Sequence, residues 1–116
     1  MRHLKEKEFP APVRVDDIDL NWETRRITRS GRTIHVSPIE FRLLDCLMEK
    51  PGRILSRAQL LEMVWRPTGI DMRTVDTHIS QLRKVLSADG ETDPIKTARG
   101  CGYCLIVTSQ RRTESI

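Results

Sequence analysis

The sequence has few cysteines, no long apolar run and no recognisable set of catalytic residues. Its three cysteines are too few, and odd in number, for a disulfide framework, which agrees with a reducing interior. No apolar run approaches the roughly 20 residues that cross a bilayer. The first residues are rich in lysine and glutamate and contain nothing like the apolar core of a secretory signal. We therefore expect a cytoplasmic protein that does not span a membrane.

Catalytic and metal-binding patterns are also missing. No nucleophile with a base and an acid, no glycine loop for phosphate and no metal cage is visible, so we expect no enzyme and no cofactor. Cys101 and Cys104 do form a C-x-x-C, the spacing of zinc and thiol redox sites. A structural zinc ion takes four ligands, whereas only Cys46 and three scattered histidines remain. A thiol or zinc sensor at Cys101 and Cys104 is therefore the weaker alternative.

Length and composition are those of a small globular domain. With 116 residues, 38% hydrophobic and 31% charged, the chain can bury a core without metals or disulfides. We expect one domain over residues 13–108, a disordered, linker-like lead-in over residues 1–12 and a flexible tail over residues 109–116. The formal net charge of +4 favours an anionic partner.

The N-terminal part of this domain predicts a small antiparallel meander. Between Val13 and Val36 the residues alternate in short β-branched bursts, interrupted by Ser30 and Gly31.

Two capping boxes then predict the starts of two helices. Ser37 is followed by Pro38 and Glu40, so helix one should begin there and run to about Lys50. Its buried face should comprise Phe41, Leu44, Leu47 and Met48.

The second box, Ser56 to Gln59, opens a helix that carries Leu60, Leu61, Val64 and Trp65. The stretch from Arg66 to Met72 contains Pro67 and Gly69 and is predicted to be a loop. This loop is longer than the turn of a simple helix-turn-helix.

The residues from Arg73 to Lys84 predict a third helix with two contrasting faces. At about 100° per residue, one stripe is apolar and the opposite face is polar and cationic. The apolar stripe contains Val75, Ile79, Leu82 and Leu86, and the opposite face contains Arg73, Thr77, Ser80, Gln81 and Lys84. One face can pack on a core while the other probes a DNA groove.

Two further strands complete the domain. Residues from Ile95 to Ala98 and from Tyr103 to Val107 flank a glycine-containing tip, which is typical of a hairpin. The predicted fold class is α+β: a winged helix-turn-helix with an N-terminal antiparallel β-sheet, three helices and a C-terminal β-hairpin wing.

Four segments in this order resemble the OmpR/PhoB-type winged-helix effector domain of two-component response regulators. They are S-P-I-E-F-R-L-L from Ser37, S-R-A-Q-L-L from Ser56 with a later V-W, R-T-V-D-T-H-I-S-Q-L-R-K from Arg73, and T-A-R-G-C-G-Y from Thr97. The resemblance covers roughly residues 17–107. Each segment alone is weak, and together they are highly specific.

The resemblance implies sequence-specific binding of double-stranded DNA in the control of transcription. It places the recognition helix 73–87 in the major groove, the wing residue Arg99 in the adjacent minor groove, and the N-terminal sheet behind helix one. It also implies a phosphorylated N-terminal receiver domain, which this chain does not contain, and head-to-tail pairs on direct repeats of DNA.

Residue chemistry suggests which side chains read bases and which bind the backbone. Amides and hydroxyls can pair with base edges, and an arginine at a glycine-flanked tip suits a narrow minor groove. We predict base contacts from Thr77, Ser80, Gln81 and Arg99. We predict backbone contacts from Arg73, Thr74, His78, Arg83, Lys84, Thr97 and Trp65.

Two other roles are possible for parts of this surface. In relatives the loop after helix two can contact RNA polymerase, so Arg66, Thr68 and Asp71 are candidates for such a surface. The main rival to DNA binding is a winged helix whose third helix packs on another protein.

Overall fold

The computed structural model describes residues 9–65 and 71–107 as one winged-helix domain. Residues 1–8 of the predicted lead-in and the predicted tail 109–116 lie outside the described residues. Phe9 to Pro12 are exposed and have no regular secondary structure. No helix within the described ranges is long and apolar enough to cross a membrane.

The predicted meander is confirmed as a four-stranded antiparallel sheet in the order β1-β2-β3-β4. Its strands are β1 (Val13–Val15), β2 (Ile18–Asn21), β3 (Arg26–Arg29) and β4 (Arg32–Ile34). The register pairs Leu20 with Ile27 and Ile27 with Ile34, so the buried apolar side chains lie on one face of the sheet. Strand β1 packs on the first helix, as the resemblance implied.

Both predicted capping boxes are present. Helix α1 (Pro38–Glu49) ends one residue before the predicted Lys50, and the Ser37 side chain accepts a hydrogen bond from the Glu40 amide. Phe41, Leu44, Leu47 and Met48 are buried as predicted. Helix α2 (Arg57–Leu60) begins at the Ser56 box but is α-helical for one turn only, and it continues as a π-helical segment (Leu61–Trp65).

Helix α3 (Arg73–Leu86) confirms the predicted division into two faces. The four stripe residues Val75, Ile79, Leu82 and Leu86 are all 1% exposed or less. Ser87 closes the helix as its C-terminal cap, so the helix is one residue shorter than the predicted 73–87. This burial fixes which side of α3 faces outward.

The wing consists of β5 (Ile95–Ala98) and β6 (Gly102–Leu105), so the second strand starts and ends earlier than predicted. A third segment joins it. Leu55 pairs with Tyr103 through two hydrogen bonds of 2.8 and 2.9 Å, and the Gly52 amide donates to the Leu105 carbonyl. The wing is thereby attached to the chain between α1 and α2.

Two arginines of the N-terminal sheet hold the C-terminal end of α3. The Arg29 guanidinium donates to the Leu86 carbonyl at 2.8 Å, and Arg32 reaches the same oxygen at 3.4 Å while pairing with Glu91 at 2.7 Å. Arg29 also binds Asp17 at 3.2 Å. Burial opposes ionisation of Asp17, but hydrogen bonds from Ser30 and Arg29 outweigh it and lower the pKa of that carboxyl. Because helix C-termini carry partial negative charge, these cations favour the observed docking of α3.

Candidate nucleic-acid interface

The outward face of α3 carries most of the residues predicted to contact bases. Thr77, Ser80 and Gln81 are exposed, and so is Lys84 one turn further on. Thr77 donates its hydroxyl to the Arg73 carbonyl at 3.2 Å within the helix. The structure therefore brings these side chains to one protruding ridge, and whether they touch bases or phosphates stays a prediction.

The start of α3 is held by Asp71, one of the residues predicted for a polymerase-contact loop. Its carboxylate accepts from the Arg73 amide at 2.9 Å and from the Arg73 guanidinium at 3.1 Å. These bonds, the amide first, lower the pKa of Asp71. The N-cap residue of α3, Met72, makes no side-chain capping bond. Asp71, one residue earlier, supplies that bond instead. Arg66 and Thr68, the other two predicted loop residues, lie outside the described residues.

Two residues predicted to contact the DNA backbone, Arg83 and Thr97, are bonded to each other. Arg83 donates to the Thr97 hydroxyl at 2.5 Å and to the Ile95 carbonyl at 3.0 Å. Its Nε lies 3.3 Å from Asp93 but is not aligned for a hydrogen bond, and its guanidinium covers the Tyr103 ring at 5.6 Å. These contacts hold the wing against α3, a structural role that the sequence did not indicate.

His78 and Trp65, also predicted to contact the backbone, form one cluster beside α1. The His78 ring centroid lies 5.6 Å from that of Trp65, and His78 Nδ1 lies 3.1 Å from Glu40 Oε2. Trp65 is half-buried against the core. The sequence marks Glu40 only as a capping residue, because its second contact comes from His78, 38 residues further along the chain.

A second cluster that the sequence did not reveal joins α2, α3 and β6. Tyr103 donates its hydroxyl to Asp76 at 2.5 Å, and Arg57 Nε lies 3.0 Å from the same oxygen. Burial, and then the bond to Asp76, raises the pKa of Tyr103. The Arg57 side chain remains half exposed while it pairs with Asp76.

The wing adds further cations to this surface. Arg99 is exposed in the turn between β5 and β6, next to Gly100, whose φ of +75° permits that turn. Lys96 and Thr97 are exposed on β5.

The two cysteines of the C-x-x-C lie in different environments. Cys101 is exposed in the turn, whereas Cys104 is buried in β6 opposite Lys96. Across the described residues, no group of three or more histidine, cysteine or carboxylate side chains is placed to hold a metal ion.

The chain is similar to proteins of one family. Residues 31–105 match the family described as "Transcriptional regulatory protein, C terminal". The chain is 44% identical over 106 residues to the phosphate regulon regulator PhoB of Rhizobium meliloti and 39% identical over 108 residues to CreB of Escherichia coli. Each match covers 90% of this chain and 47% of the relative, so the chain spans about half the length of these relatives.

Solved structures agree with the fold. The CpxR DNA-binding domain of Escherichia coli is 34% identical with a TM-score of 0.70, covering 85% of this chain and 98% of that chain. The Klebsiella pneumoniae RstA DNA-binding domain, solved in complex with the RstA box, is 31% identical with a TM-score of 0.73, covering 84% and 98%. The chain therefore belongs to the OmpR/PhoB family of response regulators, as a C-terminal winged-helix DNA-binding domain.

Proposed function

We propose that this domain binds double-stranded DNA sequence-specifically as the effector part of a bacterial two-component response regulator. In this proposal α3 enters the major groove and Arg99 enters the adjacent minor groove. The main support for this proposal is the outward ridge of α3, which is polar and cationic. The opposite face of the same helix is almost fully buried. A major groove accommodates one α-helix, and such a ridge offers donors and acceptors to its base edges.

The roles along the ridge follow from side-chain chemistry. The Gln81 amide can pair bidentately with adenine, the Thr77 methyl can contact thymine, and the Ser80 hydroxyl can serve several acceptors. Lys84 and Arg73 are cations suited to phosphates. Exposure of all five side chains supports this assignment.

The proposal includes partners beyond DNA. They are a receiver domain on the same regulator, a second copy bound head-to-tail on direct repeats of DNA, and RNA polymerase. The proposal also includes a cytoplasmic location and the lack of enzymatic activity. The solved complex of RstA with its DNA box supports the DNA partner.

A salt titration tests DNA binding against the protein-binding rival. If several cations meet phosphates, affinity for duplex DNA should fall more than tenfold between about 50 and 200 mM salt, because condensed counterions are released on binding. Fluorescence anisotropy with labelled mixed-sequence DNA measures this. Affinity that does not change with salt, or no binding at any salt, would remove the DNA proposal in favour of the protein-binding rival.

A pair of substitutions on the ridge separates base reading from backbone binding. Gln81→Ala should cost about 1 to 3 kcal/mol on sites selected from a random DNA pool and little on random DNA. Lys84→Ala should weaken binding to both alike and make the salt dependence shallower. Competition titrations on the two kinds of DNA measure the difference. Equal losses on both DNAs for both variants would contradict the division of roles.

A further inference from the structure

His78 is held by a buried carboxylate, and its own side chain stays partly exposed. Its Nδ1 lies 3.1 Å from Glu40 Oε2, and the Glu40 side chain is only 7% exposed while that of His78 is 26% exposed. Glu40 cannot easily turn away, because its other oxygen accepts from the Ser37 amide at 3.2 Å in the capping box of α1. The carboxylate is thus fixed in place by two helices.

This arrangement determines what the imidazole can do at its other nitrogen. An ionised carboxylate only accepts hydrogen bonds, so Nδ1 must carry the proton that it shares with Glu40. In the neutral ring Nε2 then has a lone pair and no hydrogen. A DNA phosphate also only accepts, so Nε2 can donate to one only when the ring is doubly protonated and cationic.

We infer that Glu40 is a positioning residue for DNA binding, which holds His78 so that the domain takes up one proton when that imidazole donates to a phosphate. This inference rests on the proposed function, since it needs His78 at the DNA backbone. The hydrogen bond from the cationic imidazole to a phosphate is charge-assisted, so it is stronger than one between neutral groups.

Within residues 9–65 and 71–107, no charged group other than Glu40 forms a hydrogen bond or ion pair with His78. Its partner on α1 is Glu40, and the uncharged Trp65 ring meets it from the end of the π-helical segment. Within α3 the residues one turn away, Thr74 and Leu82, are uncharged. A phosphate would place a second negative neighbour on the ring, which favours its charged form.

Calorimetry of the whole chain with duplex DNA tests the proton uptake. Titrations in buffers of different ionisation enthalpy, repeated from pH 6 to 9, should give a positive uptake of up to one proton per bound domain. By linkage the affinity should then fall by up to about tenfold per pH unit as the pH rises. Intact binding with no uptake at any pH would overturn the inference and leave the proposed function standing. Absence of DNA binding would overturn both.

Glu40→Gln isolates the carboxylate. The carboxamide oxygen can keep the bond to the Ser37 amide, while its NH₂ donates to Nδ1 and leaves the proton of a neutral ring on Nε2. We expect this variant to bind DNA at pH 9 more tightly than the wild type and to lose the proton uptake. His78→Gln should lose the uptake as well, and a Glu40→Gln variant that keeps it would overturn the role of Glu40.

Two controls remove simpler explanations. Glu49→Gln deletes another carboxylate of α1, at an exposed position, and should change affinity equally at every pH with the uptake intact. A His3→Gln, His35→Gln double variant removes the other two histidines and should also keep the uptake. Loss of uptake in either control would overturn the assignment to His78 and Glu40.

Discussion

Alanine at Gly102 should destabilise the domain by about 3 kcal/mol or more and separate the wing from the chain at Leu55. A Cβ at this position would lie 2.0 Å from the Leu55 carbonyl oxygen and 2.8 Å from the Ser56 Cα, and the backbone φ is +147°. Relief of this clash separates Leu55 from the wing and breaks both hydrogen bonds between Leu55 and Tyr103. Strain of about 1 to 3 kcal/mol adds to about 1 kcal/mol for each bond.

Gly100 in the same hairpin provides the control. Its φ is +75°, yet an added Cβ would meet nothing within 4 Å, so Gly100→Ala should cost only about 1 kcal/mol of left-handed strain. Urea denaturation of the two variants measures the difference in the free energy of unfolding. Equal losses in both variants would show that the contact with Leu55 is not what requires glycine at position 102.

Replacing Arg29 by methionine should cost about 3 kcal/mol, the second large effect. The Arg29 side chain is 7% exposed, and its loss leaves the Leu86 carbonyl at the end of α3 with only the long 3.4 Å bond from Arg32. Losing the better donor to a buried carbonyl costs up to about 3 kcal/mol. The lost ion pair adds less than a fully buried one would, because the Asp17 side chain is 38% exposed.

The matched control is another arginine–aspartate pair of the same sheet. Arg14 pairs with Asp19 at 2.8 Å, but their side chains are 65% and 43% exposed, so Arg14→Ala should change stability by less than about 1 kcal/mol. Thermal and urea unfolding of both variants tests the contrast. If Arg29→Met is as mild as Arg14→Ala, the arginine does not hold α3 to the sheet.

Most of the architecture was predictable because its signals are local. The two serine capping boxes predicted the starts of α1 and α2, and the apolar stripe of α3 predicted its buried face. Each of these signals lies within the element that it predicts. The π-helical continuation of α2 was not predicted. Nothing in the periodicity of Leu61 to Trp65 distinguishes a π-helix from an α-helix.

The site was predictable in part, and the failures share one cause. Exposure of Thr77, Ser80, Gln81 and Lys84 followed from the period of the helix. The intramolecular bonds of Arg83 with Thr97 could not be foreseen, since a cation on a helix flank gives the same sequence signal whether it binds a phosphate or the wing. The ion pair of Arg57 with Asp76 was missed for the same reason, because Asp76 comes from another helix.

The sequence by itself determined the order of the elements, their approximate ends and the face of α3 that turns outward, since each depends on residues within a few positions of one another. Only the tertiary structure decided which cations are committed inside the domain and which are free to meet DNA. It also brought Glu40 to His78, and Arg29 to the end of α3, across 38 and 57 residues of chain. Charged side chains are long, and their partners are chosen by the packing of distant elements, which periodicity and capping rules do not encode.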